Sequence, residues 1–145
     1  MSFDNDGYIT VLASVEASGQ TAFGGATAQG VGQSVSGTVG TVSLTNSGTL
    51  NVIGRVESGG GNAYALAAAL GVVQGASGTE QAVVSLDNAG DISVAAVALA
   101  EGDTGGFANV TLYGIIQQAS GAEAVTVDFA NSGSIEVAAL ASGVG

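Results

Sequence analysis

Along most of the chain apolar and polar positions alternate singly, the pattern of strands that turn one face inward. Ahead of Asn46, Asn88 and Asn131 the inward positions read Val42 and Leu44, then Val84 and Leu86, then Val127 and Phe129, with Ser or Asp between them. After Gly90 they read Ile92, Val94, Ala96 and Ala98, and mid-unit stretches read Ala65, Ala67, Ala69 and Ala108, Val110, Leu112. The Ala-rich run 63–70 is the strongest helix candidate. Its Gly-rich flanks and its counterpart at 107–113 (Phe-Ala-Asn-Val-Thr-Leu-Tyr) argue for strand instead. The alternation predicts an all-β chain.

The strands recur. Asn-x-Gly followed by alternating apolar residues occurs at Asn5 and Gly7, Asn46 and Gly48, Asn88 and Gly90, and Asn131 and Gly133, with spacings of 41, 42 and 43 residues. A second motif, Gly-Val/Ile-x-Gln followed by Ser-Gly, keeps the same phase and places Gln33, Gln74 and Gln117 at equivalent positions. Two motifs in register define a single repeat domain over residues 1–145, with units at about 5–45, 46–87 and 88–130 and a partial unit at 131–145. Because the chain stops within a unit, it is expected to be a segment of something longer.

A short repeat that cannot bury its own inward face implies stacking, so the fold class is a β-solenoid, or parallel β-helix. Gly-rich turns at 58–62 and 102–106 separate the strands, and Gly and Asn are expected to supply positive φ at the corners. Measured between corner glycines (Gly7, Gly30, Gly48, Gly71, Gly90, Gly114, Gly133), the steps alternate between 23 or 24 and 18 or 19 residues. This alternation favours two unequal coils per unit of roughly 42 residues, giving seven coils and a rod on the order of 33 Å long at about 4.8 Å per coil. The competing division makes each unit one wide coil. The Asn and Gln positions, and the aromatics Phe23, Tyr64 and Phe107, would then stack in ladders of the kind found in cross-β packing.

Composition narrows the function. The 145 residues include 25 Gly, no Pro, Cys, Trp or His, and a single basic residue, Arg55, for a net charge of −11. Lacking His and Cys, the chain has neither the usual general base nor the usual zinc ligands. So acidic a chain is not expected to bind nucleic acid or anionic lipid. No long apolar run predicts insertion into a membrane, and the start lacks the character of a signal peptide.

The Asn-Ser-Gly-x-Ile/Leu-x-Val motif, joined to Gly-Ile/Val-x-Gln-x-Ala-Ser-Gly, resembles the β-strand repeats of large bacterial surface proteins of the filamentous-haemagglutinin and autotransporter-adhesin type. The resemblance implies a right-handed β-helix at the cell surface or outside the cell, serving as a stalk, adhesin or matrix fibre. No export signal or secretion domain of the kind such proteins have is expected within these 145 residues. Terminal coils without a polar cap are templates for further pairing, so self-association, end-to-end or lateral, is expected. The expected function is non-enzymatic and structural. The alternative is an adhesin module whose outer face binds a cell-surface glycan or a host protein.

Candidate sites are few. Acids near turns, namely Asp87, Asp91, Glu101 and Asp103, with Asp4 and Asp6 at another corner, are the calcium candidates, set against a solvated acidic surface. No other cofactor is expected. Paired carboxylates on a β-helix could serve polysaccharide cleavage, but Arg55 and scattered Tyr offer little to hold a sugar, and Arg55 reads as an isolated surface charge. Thr10, Thr49 and Thr111 form no regular rank for an ice-binding face, since Asn51, Ser93 and Glu136 follow Thr10 in the repeat.

Overall fold

Alternation of this length favours strand over helix, and among the described residues the chain forms six strands that all pair in parallel. The computed structural model describes residues 1–121 and 123–145. The strands are β1 (Ser2–Asn5), β2 (Tyr8–Asn46), β3 (Thr49–Asn88), β4 (Asp91–Ser120), β5 (Ala124–Asn131) and β6 (Ser134–Val144). The order is β1-β2-β3-β4-β6, with β5 also on β3. This is an all-β parallel solenoid, as the alternation predicts.

The register corrects the division into coils. Tyr8 pairs with Thr49, Thr49 with Asp91, and Asp91 with Ser134, so the chain returns over itself once per 41 to 43 residues. Each unit is therefore one wide coil, and the division into coils of about 23 and 19 residues is wrong. The physical reason lies in two bends within every coil. In the coil from Thr49 to Gly90, alternate residues 63, 65, 67 and 69 are buried, then the phase shifts at Gly71 and residues 72, 74, 76 and 78 are buried. A second bend sits at Asn88-Ala89-Gly90. The alternating Gly spacing thus measures the distance between bends around one coil, not the length of two coils.

Each coil is a flattened ring of four runs, as in residues 49–90. Residues 49–58 face 62–70 across the core, and 72–78 face 81–88. Ser58 Oγ donates to the Tyr64 carbonyl at 2.8 Å, and Gln74 Nε2 to the Ser85 carbonyl at 3.1 Å, closing the ring near its two turns. The interior between the layers is narrow. A Cβ on Gly71 would lie 2.5 Å from Val94 Cγ2, and one on Gly54 would collide with the Ala68 carbonyl oxygen. That is why Ala and Gly recur inward. The core is a single stack of Leu50, Val52, Val56, Ala63, Ala65, Leu86, Ile92 and Val94 with their neighbours, and a smaller cluster of Val42, Ala76, Ala82 and Val84 fills the other arm. Val127 and Phe129, inward in phase, remain about half exposed because no coil lies above them.

The unequal spacings have a local cause. The offset between neighbouring coils rises from 41 to 42 between Gly37 and Val39, and from 42 to 43 between Gly60 and Asn62. Both insertions fall in turns, so every run stays in register. Turns also hold the positive-φ residues, Gly19, Gly60 and Gly121, as Gly-rich corners predict. The Asn corners differ from expectation, because no non-Gly residue among those described has positive φ. Asn5, Asn46, Asn88 and Asn131 recur for a different reason.

Candidate functional site

That reason is axial. Extended backbone at the corner aims each Asn side chain inward, where Asn46 and Asn88 are almost wholly buried. An amide there needs both its donor and its acceptor satisfied, and only an identical amide in the next coil offers both at the right place. Asn5 Nδ2 donates to Asn46 Oδ1 at 2.7 Å, Asn46 Nδ2 to Asn88 Oδ1 at 2.6 Å, and Asn88 Nδ2 to Asn131 Oδ1 at 2.6 Å. The same Nδ2 atoms lean on backbone carbonyls of the coil above: Thr49, Asp91 and Ser134 at 3.2 to 3.3 Å. The backbone carbonyls of Asn5, Asn46 and Asn88 accept two amides apiece, as when Ala89 and Gly90 donate to the Asn46 oxygen at 2.8 and 2.9 Å.

The corner glycine completes the arrangement. A Cβ on Gly48, Gly90 or Gly133 would be driven into the carbonyl oxygen of the corner glycine one coil below. For Gly7, in the lowest coil, nothing lies within 4 Å. Close approach of coils, not backbone conformation, therefore demands Gly at these positions. Its recurrence in all four copies was the signal, and sequence reasoning missed the cause.

A second ladder runs along the other arm with its amides reversed. Gln117 Nε2 donates to Gln74 Oε1 at 3.1 Å, and Gln74 Nε2 to Gln33 Oε1 at 2.9 Å. Each Gln also donates across the core, to the carbonyls of Ser43, Ser85 and Asp128. No buried side-chain polar atom among the described residues lacks a partner. Outside, Phe23, Tyr64 and Phe107 form a third ladder, with ring centroids 6.5 and 6.4 Å apart and planes tilted by 35° and 45°.

The acids are dispersed rather than gathered. Asp87 sits between Thr45 and Ala130 in the register, Asp91 between Thr49 and Ser134, and Glu101 beside Gly59. Asp103 is exposed in the turn that lengthens the coil, and Asp4 pairs with Thr45. No group of three or more His, Cys, Asp or Glu converges to hold a metal among the described residues. Glu16, Glu57 and Glu101 border one open groove with Ser58 and Gly59, and only Glu16 and Glu57 stack directly.

Arg55 answers that like-charge pair. It is not isolated: its guanidinium pairs with Glu57, two residues along the same outward face, and the hydrogen bond and charge of Glu57, with a smaller contribution from Glu16, raise its pKa. Thr10 stacks on Asn51 and Ser93 follows, so no Thr rank forms along this face.

Comparison with protein-family models, with curated proteins and with solved structures finds no match. The ladders, which repeat one interface from coil to coil, are thus the arrangement from which function must be argued.

Proposed function

We propose that this chain is a non-enzymatic structural β-solenoid that works by stacking and self-association, as a segment of an extracellular or cell-surface fibre. The observation that carries the reading is the identity of the coil-to-coil interface at every level. Asn and the corner glycine recur at all four levels, with the same donors, acceptors and gap wherever one coil meets the next, and Gln recurs at three. A coil at the end of any such stack therefore offers to another copy the surface that it would offer to its own next coil. The extracellular and bacterial part of the reading draws on the resemblance of the repeat motifs to surface-protein repeats.

Continuation of the Asn ladder from Asn131 of one copy to Asn5 of the next would advance four levels per chain, about 19 Å at roughly 4.8 Å each. The runs equivalent to 62–70 occur at only three of those levels, which leaves one notch per junction.

Gly7 gives the test. Gly7→Ala meets nothing within the monomer, but across a junction its Cβ would strike the Gly133 carbonyl of the neighbouring copy, as a Cβ on Gly48 would strike Gly7. Sedimentation velocity over rising concentration should show the wild-type chain assembling and Gly7→Ala remaining monomeric with an unchanged thermal midpoint. Wild-type chains that stay monomeric, or Gly7→Ala chains that assemble equally well, would overturn the proposal.

A further inference from the structure

Stacking uses the ends of a coil and leaves its outer faces open, and these differ in charge. The 12 acids and Arg55 all lie outside residues 19–46, 58–79 and 104–122. The runs 21–29, 62–70 and 105–113 fall within those limits in every coil, so this face carries no charge on a chain of net −11. The opposite layer presents Glu16, Glu57, Asp91 and Glu136 outward. The neutral face holds the aromatic ladder, with Phe23, Tyr64 and Phe107 exposed by 65%, 41% and 53%, flanked by Leu66 and Tyr113.

We propose that this face is a lateral interface between two stacks of the same chain. The occupant is a second copy because two such chains repel wherever their acids meet, and this face, like the charge-free runs 31–37, 72–78 and 115–120 that follow it but with the aromatic row besides, lets them approach with the acids of each turned away. Tilted, exposed rings in a row match the aromatic packing by which sheets interdigitate.

The area sets a condition on the pairing. Nine residues at about 3.3 Å and three levels at about 4.8 Å give roughly 430 Å² of flat face per chain. That is near half of the roughly 800 Å² per partner of a stable interface. Two chains stacked end to end double it. Pairing is therefore weak between monomers and closes once rods are two chains long, so this inference rests on the stacking reading and predicts twin filaments.

The test is electron microscopy of filaments of the full chain, with Tyr64→Glu, which places a carboxylate at the centre of the face, and Thr10→Glu, which adds the same charge to the opposite layer. Circular dichroism of each monomer checks the fold. Wild-type and Thr10→Glu filaments should be paired. Tyr64→Glu should give single filaments of the same axial repeat, with paired filaments reduced at least about tenfold. Single wild-type filaments, or paired Tyr64→Glu filaments, would overturn the lateral interface while leaving stacking intact. Failure of the wild type to form any filament would overturn both. If wild-type filaments are single and monomer is retained on an insoluble neutral β-glucan in a Tyr64-dependent way, the face belongs to a glycan and the proposal falls.

Discussion

Replacing Asn88 by Ala should reveal how much stability one buried rung holds. Asn88 is fully buried; it accepts from Asn46 at 2.6 Å and donates to Asn131 at 2.6 Å and to the carbonyls of Gly90 and Ser134 at 3.1 and 3.3 Å. Truncation removes two short ladder bonds, worth about 1 kcal/mol each net. It also leaves Asn46 Nδ2 with only the Gly48 and Asp91 carbonyls at 3.3 Å, a shortfall costing about a further 1–3 kcal/mol. The sum is about 3–5 kcal/mol. With a urea m value of about 2 kcal/mol/M, the midpoint falls by roughly 1.5–2.5 M.

The comparison that makes this decisive is Asn131→Ala. Asn131 is exposed and takes part in a single ladder bond, and water reaching that open end can replace it as the acceptor for Asn88 Nδ2, so its loss should cost no more than about 1 kcal/mol. Urea titrations followed by circular dichroism at a concentration too low for assembly measure both. Equal shifts for the two variants would refute the claim that the ladder's value comes from burial between identical neighbours.

Other outcomes follow from the same geometry. Gly90→Ala, whose Cβ would be 2.7 Å from the Ser47 carbonyl carbon, should lose at least about 2 kcal/mol in chemical denaturation, while Gly7→Ala stays within about 0.5 kcal/mol of wild type. Val94→Ala, at a fully buried position where the neighbouring layer approaches closely, should cost about 1.5–3 kcal/mol by the same measurement. Millimolar calcium should raise the thermal midpoint no more than magnesium at matched ionic strength, because Asp87, Asp91, Glu101 and Asp103 are not brought together; a calcium-specific rise would contradict that placement. Light scattering should show association accelerating as pH falls toward the sequence pI of about 4.1, where the net negative charge that separates copies is lost.

Much of this was legible in the chain, and the part that was not has a definite cause. Alternation revealed which residues face inward, since Val84, Leu86, Ile92 and Val94 are all buried. The number of coils was misread because Gly30 and Gly71 mark bends as readily as Gly48 and Gly90 do, and periodicity along one strand does not say which run lies on which. The amides held the answer. Had there been two coils per unit, Asn46 and Asn88 would each have faced an unlike bend with no amide to pair. Buried side chains of that polarity require the 42-residue stacking that their hydrogen bonds show. The neutral face was equally present in the sequence, as the charge-free stretches 19–46, 58–79 and 104–122, but it has no meaning until the register brings those stretches onto one surface. Arg55 was misjudged for a different reason: its main partner, Glu57, lies two residues along the same outward face and was legible in the alternation, and only the smaller contribution of Glu16 needed the register.

The central claim is that single wide coils stack through their ladders, within one chain and between chains. Electron cryomicroscopy of filaments, with mass per length measured on the same preparation, tests it most directly. For a chain of 13.7 kDa the account predicts a spacing near 4.8 Å, a junction repeat near 19 Å and about 0.7 kDa per Å for each filament. About 0.4 kDa per Å would mean two coils per unit, and monomers at every concentration would mean that the ladders end with the chain.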